Sequence, residues 1–245
     1  MATTRRNKLN TLYARLTPGR PFTSKDLAGL EVSADLAVHY VRAGWLERLA
    51  RGVYLRPGDQ LALHPALLVL ERDLEGLHVG GKSALDWYGV RHYLEQQPLL
   101  RLYGWTAARL PDWFTKRFPA VYRRKRLFKE TPGSLLHVGP FESRAGAPQV
   151  SEPERALLEV LSEVGAHQPL QEARELAEST YSLRADVLRD LLKNCTSVKT
   201  VRLCLQIGRE GKLPWADKLD AGELPTGSDK PWIGRSPDGL LVLKP

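Results

Sequence analysis

From Ser33 to Arg42 the chain reads SADLAVHYVR, a run of residue types suited to reading base edges. The Arg42 guanidinium matches the paired acceptors of guanine, His39 offers one hydrogen bond, and Val38 and Ala34 suit a thymine methyl. Wound as a helix from Ser33 to Ala43, the 3.6-residue period puts Ala34, Asp35, Val38, His39 and Arg42 on one face. Leu36, Ala37, Tyr40 and Ala43 share the opposite, apolar face. The chemistry is recognition, not bond-making. Ser33 at the helix start, Lys25 before it, and Arg48 and Arg51 after it complete a candidate DNA-binding set, the basic members being placed for phosphates or a minor groove. Each of these residues taken singly also reads as an ordinary solvated side chain.

The elements that must position this set follow from the punctuation around it. Gly44 stops the helix, and Trp45 to Leu49 and Val53 to Leu55 read as two short strands joined by Ala50, Arg51 and Gly52 as a tight turn. Upstream, Arg5 to Leu16 reads as a helix with Leu9, Leu12, Tyr13 and Leu16 on one face. Thr17-Pro18-Gly19 ends it, and a second helix from Ser24 to Leu30 has Thr23 or Ser24 as its cap. Three helices and a hairpin within residues 1–60 predict a winged helix-turn-helix; a plain helix packed on a hairpin is the alternative. This segment holds ten Lys and Arg against five Asp and Glu. The whole chain of 245 residues carries a net charge of +8 and a pI near 9.6, which points to a polyanionic partner.

Residues 61–245 predict a larger α+β domain, with strands early and helices late. A helix runs from His64 to about Leu74, and strands are expected at Leu77 to Val79, Leu99 to Tyr103, Ala120 to Phe128, Leu135 to Val138 and up to Ser151. A short helix is expected at Pro111 to Arg117. Gly76 to Ser83, GLHVGGKS, fits the phosphate-cradling pattern G-x-x-x-x-G-K-S. That chemistry needs a buried strand ending before the first glycine, yet Glu71-Arg72-Asp73-Leu74-Glu75 precedes it and the apolar stretch falls inside the loop. The pattern therefore predicts a turn into a helix near Ser83, not a nucleotide site. Arg117, Arg123, Arg124, Lys125, Arg126 and Lys129, interleaved with Phe118, Tyr122 and Phe128, form a second basic run. Alternation splits it, Arg124 and Arg126 on one face and Arg123 and Lys125 on the other. It reads either as a charged, non-aggregating edge strand or as a second anion-binding surface for RNA or DNA backbone.

Pro153 opens a strong helix, PERALLEVLSEVG, with Ala156, Leu157, Val160, Leu161 and Val164 as its buried face and Glu152 and Glu154 near its positive end. Helices at Leu170 to Thr180, Ala185 to Lys193 and Ser197 to Gly208 follow, then a loop from Asp217 to Lys230 and a terminal strand, Leu240 to Leu243. Cys195 and Cys204 suit neither a disulfide framework nor a zinc cage and are expected as buried, inert thiols at apolar helical positions. With no apolar run long enough for a membrane span, a cytoplasmic protein without membrane contact is expected. No catalytic centre, metal site or cofactor is evident.

Gly44-Trp45-Leu46 with Arg51-Gly52-Val53-Tyr54, Gly80 to Leu85 with Tyr88-Gly89 and His92-Tyr93, Ser151 to Glu159, and Ser197-Val198-Lys199 with Arg202-Leu203 stand along nearly the whole chain. In that order they resemble the AbiEi antitoxins of type IV toxin-antitoxin, or abortive-infection, operons. The resemblance implies a winged helix that represses its own operon at inverted repeats of double-stranded DNA, and a C-terminal domain needed for antitoxin activity. It also implies a cognate nucleotidyltransferase toxin counteracted without a stable complex.

Two other readings remain open. One is a nucleic-acid-processing enzyme targeted by the winged helix, for which Pro111-Asp112 with Glu210-Gly211-Lys212 would supply carboxylates. The other is an antitoxin that sequesters its toxin directly.

Overall fold

A computed structural model describes residues 10–14, 17–90, 99–236 and 239–244. Residues 10–14 are helical. Arg5, Arg6, Lys8, Leu9, Arg15 and Leu16 of the expected first helix lie outside the described residues, as do His92 and Tyr93.

The N-terminal elements follow as β1 (Phe22–Thr23), a helix at Ser24–Ala28, a helix at Ala34–Arg42, β2 (Glu47–Ala50) and β3 (Val53–Leu55). The strands form an antiparallel sheet in the order β1-β3-β2, with Phe22 opposite Tyr54 and Arg48 opposite Tyr54 on the other side. This order is consistent with a winged helix-turn-helix. Thr23 caps the first helix in a reciprocal box with Asp26, and Ser33 caps the second by accepting from the Leu36 N–H at 3.2 Å. The Ala34–Arg42 helix buries Ala37 and Tyr40 against Leu12, Phe22, Leu27, Val32, Leu46 and Tyr54, while Ala43 is exposed. Gly44 takes φ 71°, letting the Trp45 and Leu46 N–H groups turn back onto the Tyr40 carbonyl at 2.8 and 3.2 Å. That closure occupies Trp45 and Leu46, so the strand starts at Glu47 and not at Trp45 as the sequence suggested.

A second apolar cluster begins at Leu55 and takes in the rest of the chain. Its sheet has the order β6-β5-β4-β8-β7, from β4 (His78–Val79), β5 (Leu100–Gly104), β6 (Ala120–Arg124), β7 (Val138–Pro140) and β8 (Gln149–Ser151). β4 pairs parallel with β8 and β5 parallel with β6; the other two pairings are antiparallel. The helices are Leu63–Glu71, Gly81–Trp87, Asp112–Thr115, Pro153–Glu163, Leu170–Glu178, Ala185–Lys193 and Val198–Glu210. The mixed α+β class expected from the sequence is what the chain adopts.

Several expectations need correction. The strand from Ala120 ends at Arg124, because its partner β5 ends at Gly104 and the chain turns inward to bury Leu127 and Phe128. Leu135 to His137 is not a strand; pairing starts at Val138, after His137 takes φ 52°. The Pro153–Glu163 helix is buried on every side, including Glu154, Arg155, Glu159, Ser162 and Glu163, because it lies against the Gly81–Trp87 helix and the three later helices. Cys195 is buried but stands after a helix, bridged to Phe128, and burial pushes the Cys204 thiol up to about 12. The terminal strand β10 (Gly239–Leu243) pairs antiparallel with β9 (Trp232–Ser236), a partner the sequence did not announce.

The two clusters are stitched at their junction. The Gly19 N–H donates to Asp59 at 3.0 Å, Ala62 N–H to the Gly19 carbonyl at 2.9 Å, and Arg72 meets Asp26 at 2.7 Å. Burial works against the Asp26 charge, but the Thr23 and Arg72 hydrogen bonds outweigh it and hold its carboxyl below the usual range.

Candidate nucleic-acid interface

The Ala34–Arg42 helix presents Ala34, Val38, His39 and Arg42 outward, Val38 being 42% exposed. The His39 ring is held edge-on by Trp45 at 6.1 Å between centroids. Lys25 is exposed on the preceding helix, and Arg51 is exposed at the hairpin tip. Arg48 is exposed too, with its Nε 3.4 Å from the Ala50 carbonyl, so the strand backbone holds it along the hairpin. Ser33 is exposed but its hydroxyl is engaged in the cap, which makes its contribution one of fixing the helix start. All eight candidates are therefore exposed on one small unit. Asp35 and Glu47 are exposed on the same unit and temper its charge.

The second basic run divides as alternation predicted, even though the strand ends early. Arg124 donates from Nε to the Trp105 carbonyl at 3.2 Å, and the Arg126 guanidinium lies 4.5 Å over the Trp105 ring. Both are exposed, as are Arg117, which rests 5.8 Å over Phe118, and Lys129. Arg123 and Lys125 turn inward. Arg123 pairs with Glu163 at 3.0 Å, and burial pushes the Lys125 ammonium down against the pull of Glu163 and Glu159. Lys199, lowered by burial to about 8, donates to the Ser162 and Val164 carbonyls at 2.9 and 2.8 Å, capping the end of the central helix.

Residues 5–96 match the family described as "transcriptional regulator, AbiEi antitoxin N-terminal domain", and residues 97–244 match "transcriptional regulator, AbiEi antitoxin, type IV TA system". The chain belongs to the AbiEi family. No curated protein matches it. Among solved structures it is similar to the RV2827C protein from Mycobacterium tuberculosis, with a TM-score of 0.56 at 18% identity, covering 94% of this chain and 89% of that one. At that identity the likeness shows a shared fold. The AbiEi family is one of transcriptional regulators and antitoxins, which brings DNA and a cognate toxin as partners. Among the described residues no helix is long and apolar enough to cross a membrane.

In this AbiEi chain the phosphate-loop pattern holds an anion, and the anion is its own. The Gly81 N–H donates to Glu159 Oε2 at 2.9 Å, His78 Nε2 lies 2.9 Å from Oε1, Arg155 Nε donates to Oε1 at 2.8 Å, and the Ser151 hydroxyl reaches both oxygens. Burial opposes this charge, yet His78 and Arg155 bring the Glu159 carboxyl down to about 2. A Cβ on Gly80 would stand 2.2 Å from Glu159 Oε2, so only glycine admits the carboxylate. Lys82 is drawn to Glu172, and Ser83 Oγ accepts from the Arg101 N–H at 2.9 Å. Arg155 is itself forked onto Glu130 at 2.7 and 2.9 Å. Sequence reasoning missed this network. Its one local signal is the Arg155 to Glu159 spacing of four on a helix.

The scattered acids do not assemble. Asp112 faces Arg109 at 3.6 Å and Glu210 faces Arg174 at 2.9 Å, both exposed. No described His, Cys, Asp and Glu residues group for a metal ion.

Proposed function

We propose that residues 1–60 form a winged helix-turn-helix DNA-binding domain that represses its own operon at inverted repeats. Residues 61–245 then form the antitoxin domain, opposing a nucleotidyltransferase toxin without a stable complex, and the chain acts in the cytoplasm as a regulator, not an enzyme. The observation that carries this reading is the outward set Ala34, Val38, His39 and Arg42 beside exposed Lys25, Arg48 and Arg51. The helix enters the major groove, Arg42 reads a base, and Arg51 at the wing tip meets the backbone. On the second domain Arg117, Arg124, Arg126 and Lys129 form the antitoxicity surface, with Arg123 and Lys125 supporting it from inside.

The test is titration of the full chain against the duplex upstream of its own gene and against a scrambled duplex, at two salt concentrations. Preference for the native duplex, reduced for Arg42→Ala by roughly 1 to 3 kcal/mol with little change on the scrambled one, is expected. Equal losses on both duplexes would end the base-reading role of Arg42. Co-expression with the toxin tests the second domain: Arg124→Glu with Arg126→Glu is expected to lose rescue, and unchanged rescue would remove that surface.

A further inference from the structure

A deep-set carboxylate needs a cation or a proton, because burial strips away its water. The inward-facing acids of this chain follow that rule. Asp26 meets Arg72, Glu130 meets Arg155, Glu154 meets Arg184, Glu159 meets His78 and Arg155, and Glu163 meets Arg123. Glu71 departs from it among the described residues. It is the last residue of the Leu63–Glu71 helix, and its Oε1 accepts the Gln149 backbone N–H at 2.7 Å. Burial pushes its carboxyl up to about 7, and among the described residues only that N–H works the other way and no cation acts on it. Where a partner cation would stand there is a cleft of about 410 Å³, walled by Gly76, Leu77, the turn from Pro132 to Leu135, Val138 and Gln149. Glu71 is the one titratable group among the described residues of that lining.

We propose that this cleft binds a small organic cation, an alkylammonium or alkylguanidinium, whose charged head pairs with Glu71 and whose stem lies against Leu77 and Val138. The volume falls in the range of small-molecule sites. The head would also sit at the C-terminal end of a nine-residue helix, where the backbone dipole favours positive charge. A single carboxylate is too poor a ligand set for a metal ion, which needs several oxygen donors. The next residue, Arg72, makes the ion pair to Asp26 in the N-terminal unit, so the occupied cleft lies one residue from a contact between the two clusters.

Agmatine serves as the probe, with 1-pentanol as its uncharged counterpart, titrated into the full chain by calorimetry at about pH 8 and about pH 5.5. Saturable one-to-one agmatine binding is expected at the higher pH, with none for pentanol. Affinity should fall roughly thirtyfold at the lower pH, where only about one Glu71 in thirty is ionised. Glu71→Gln keeps an acceptor for the Gln149 N–H and should lose at least about tenfold in affinity, the size of a lost charge-assisted contact. Gly133→Leu leaves the carboxylate intact but fills the cleft, its Cβ meeting nothing within 4 Å, and should also weaken binding. Absence of saturable binding at pH 8, pentanol binding equal to agmatine, or affinity unchanged by both substitutions would overturn the proposal.

Discussion

The Ala34–Arg42 and Pro153–Glu163 helices are both rich in charge, and they use it in opposite ways. The first turns Asp35, His39 and Arg42 to solvent and buries only Ala37 and Tyr40. The second buries Glu154, Arg155, Glu159 and Glu163 and gives each a partner: Arg184, Glu130, His78 and Arg123 respectively. A charge left facing water is free to meet a ligand at little desolvation cost, whereas a charge enclosed with its partner fixes one packing and loses heavily if that partner goes. Between these two helices, then, exposed charge stays available to a ligand and enclosed charge fixes architecture.

Removing Glu159 should break the comparison most sharply. Glu159→Ala leaves His78, Arg155, Ser151 and the Gly81 N–H without their acceptor, and a loss of about 3 to 5 kcal/mol in urea unfolding is expected. The pH dependence carries the same signature. The Glu159 carboxyl is lower in the folded chain than its ordinary value of 4.5, so its stabilisation is present above pH 4.5 and drains away as pH falls towards 2. The variant should show a flatter acid limb. Ser33→Ala, at the start of the Ala34–Arg42 helix, should cost about 1 kcal/mol of stability through the cap and weaken the proposed DNA binding only through helix fraying. A much larger binding loss would assign Ser33 a direct DNA contact.

Arg51→Ala should change stability by no more than about 0.5 kcal/mol, while weakening all duplexes alike and reducing the salt slope by about one. A pH-dependent effect belongs to Glu71. Its folded value of about 7 lies above the ordinary 4.5, so its penalty is absent below pH 4.5, grows as the unfolded chain ionises, and is complete above pH 7. Glu71→Gln should flatten the fall in melting temperature across that window. An unchanged profile would show that Glu71 already has a compensating partner.

Legibility in the sequence tracked the range of the interaction. The amphipathic face with Ala37 and Tyr40, the stop at Gly44 and the hairpin turn were readable because each depends on neighbours within a helical turn or a tight loop. The division of Arg124 and Arg126 from Arg123 and Lys125 was readable because pleating alternates side chains even past the last ladder bond. The Glu159 cradle was not, since His78 lies 81 positions away and Glu130 lies 25 from Arg155. Glu71 gave no sign either: followed by Arg72 and Asp73, it reads as a solvated helix end, and only the fold walls it in. Of the candidate DNA-binding set, the exposure was legible; that Ser33 and Arg48 are engaged by local backbone was not.

The glycine turn before Lys82 has a consequence for how the regulator relates to metabolism. The acceptor of its Gly81 N–H, the Glu159 carboxylate, is tethered in the same chain, and a tethered group competes at an effective concentration in the millimolar range or above. Soluble nucleotides and inorganic phosphate therefore meet a seat already taken by a rival that never diffuses away. A regulator built on this scaffold offers no open phosphate seat at that turn.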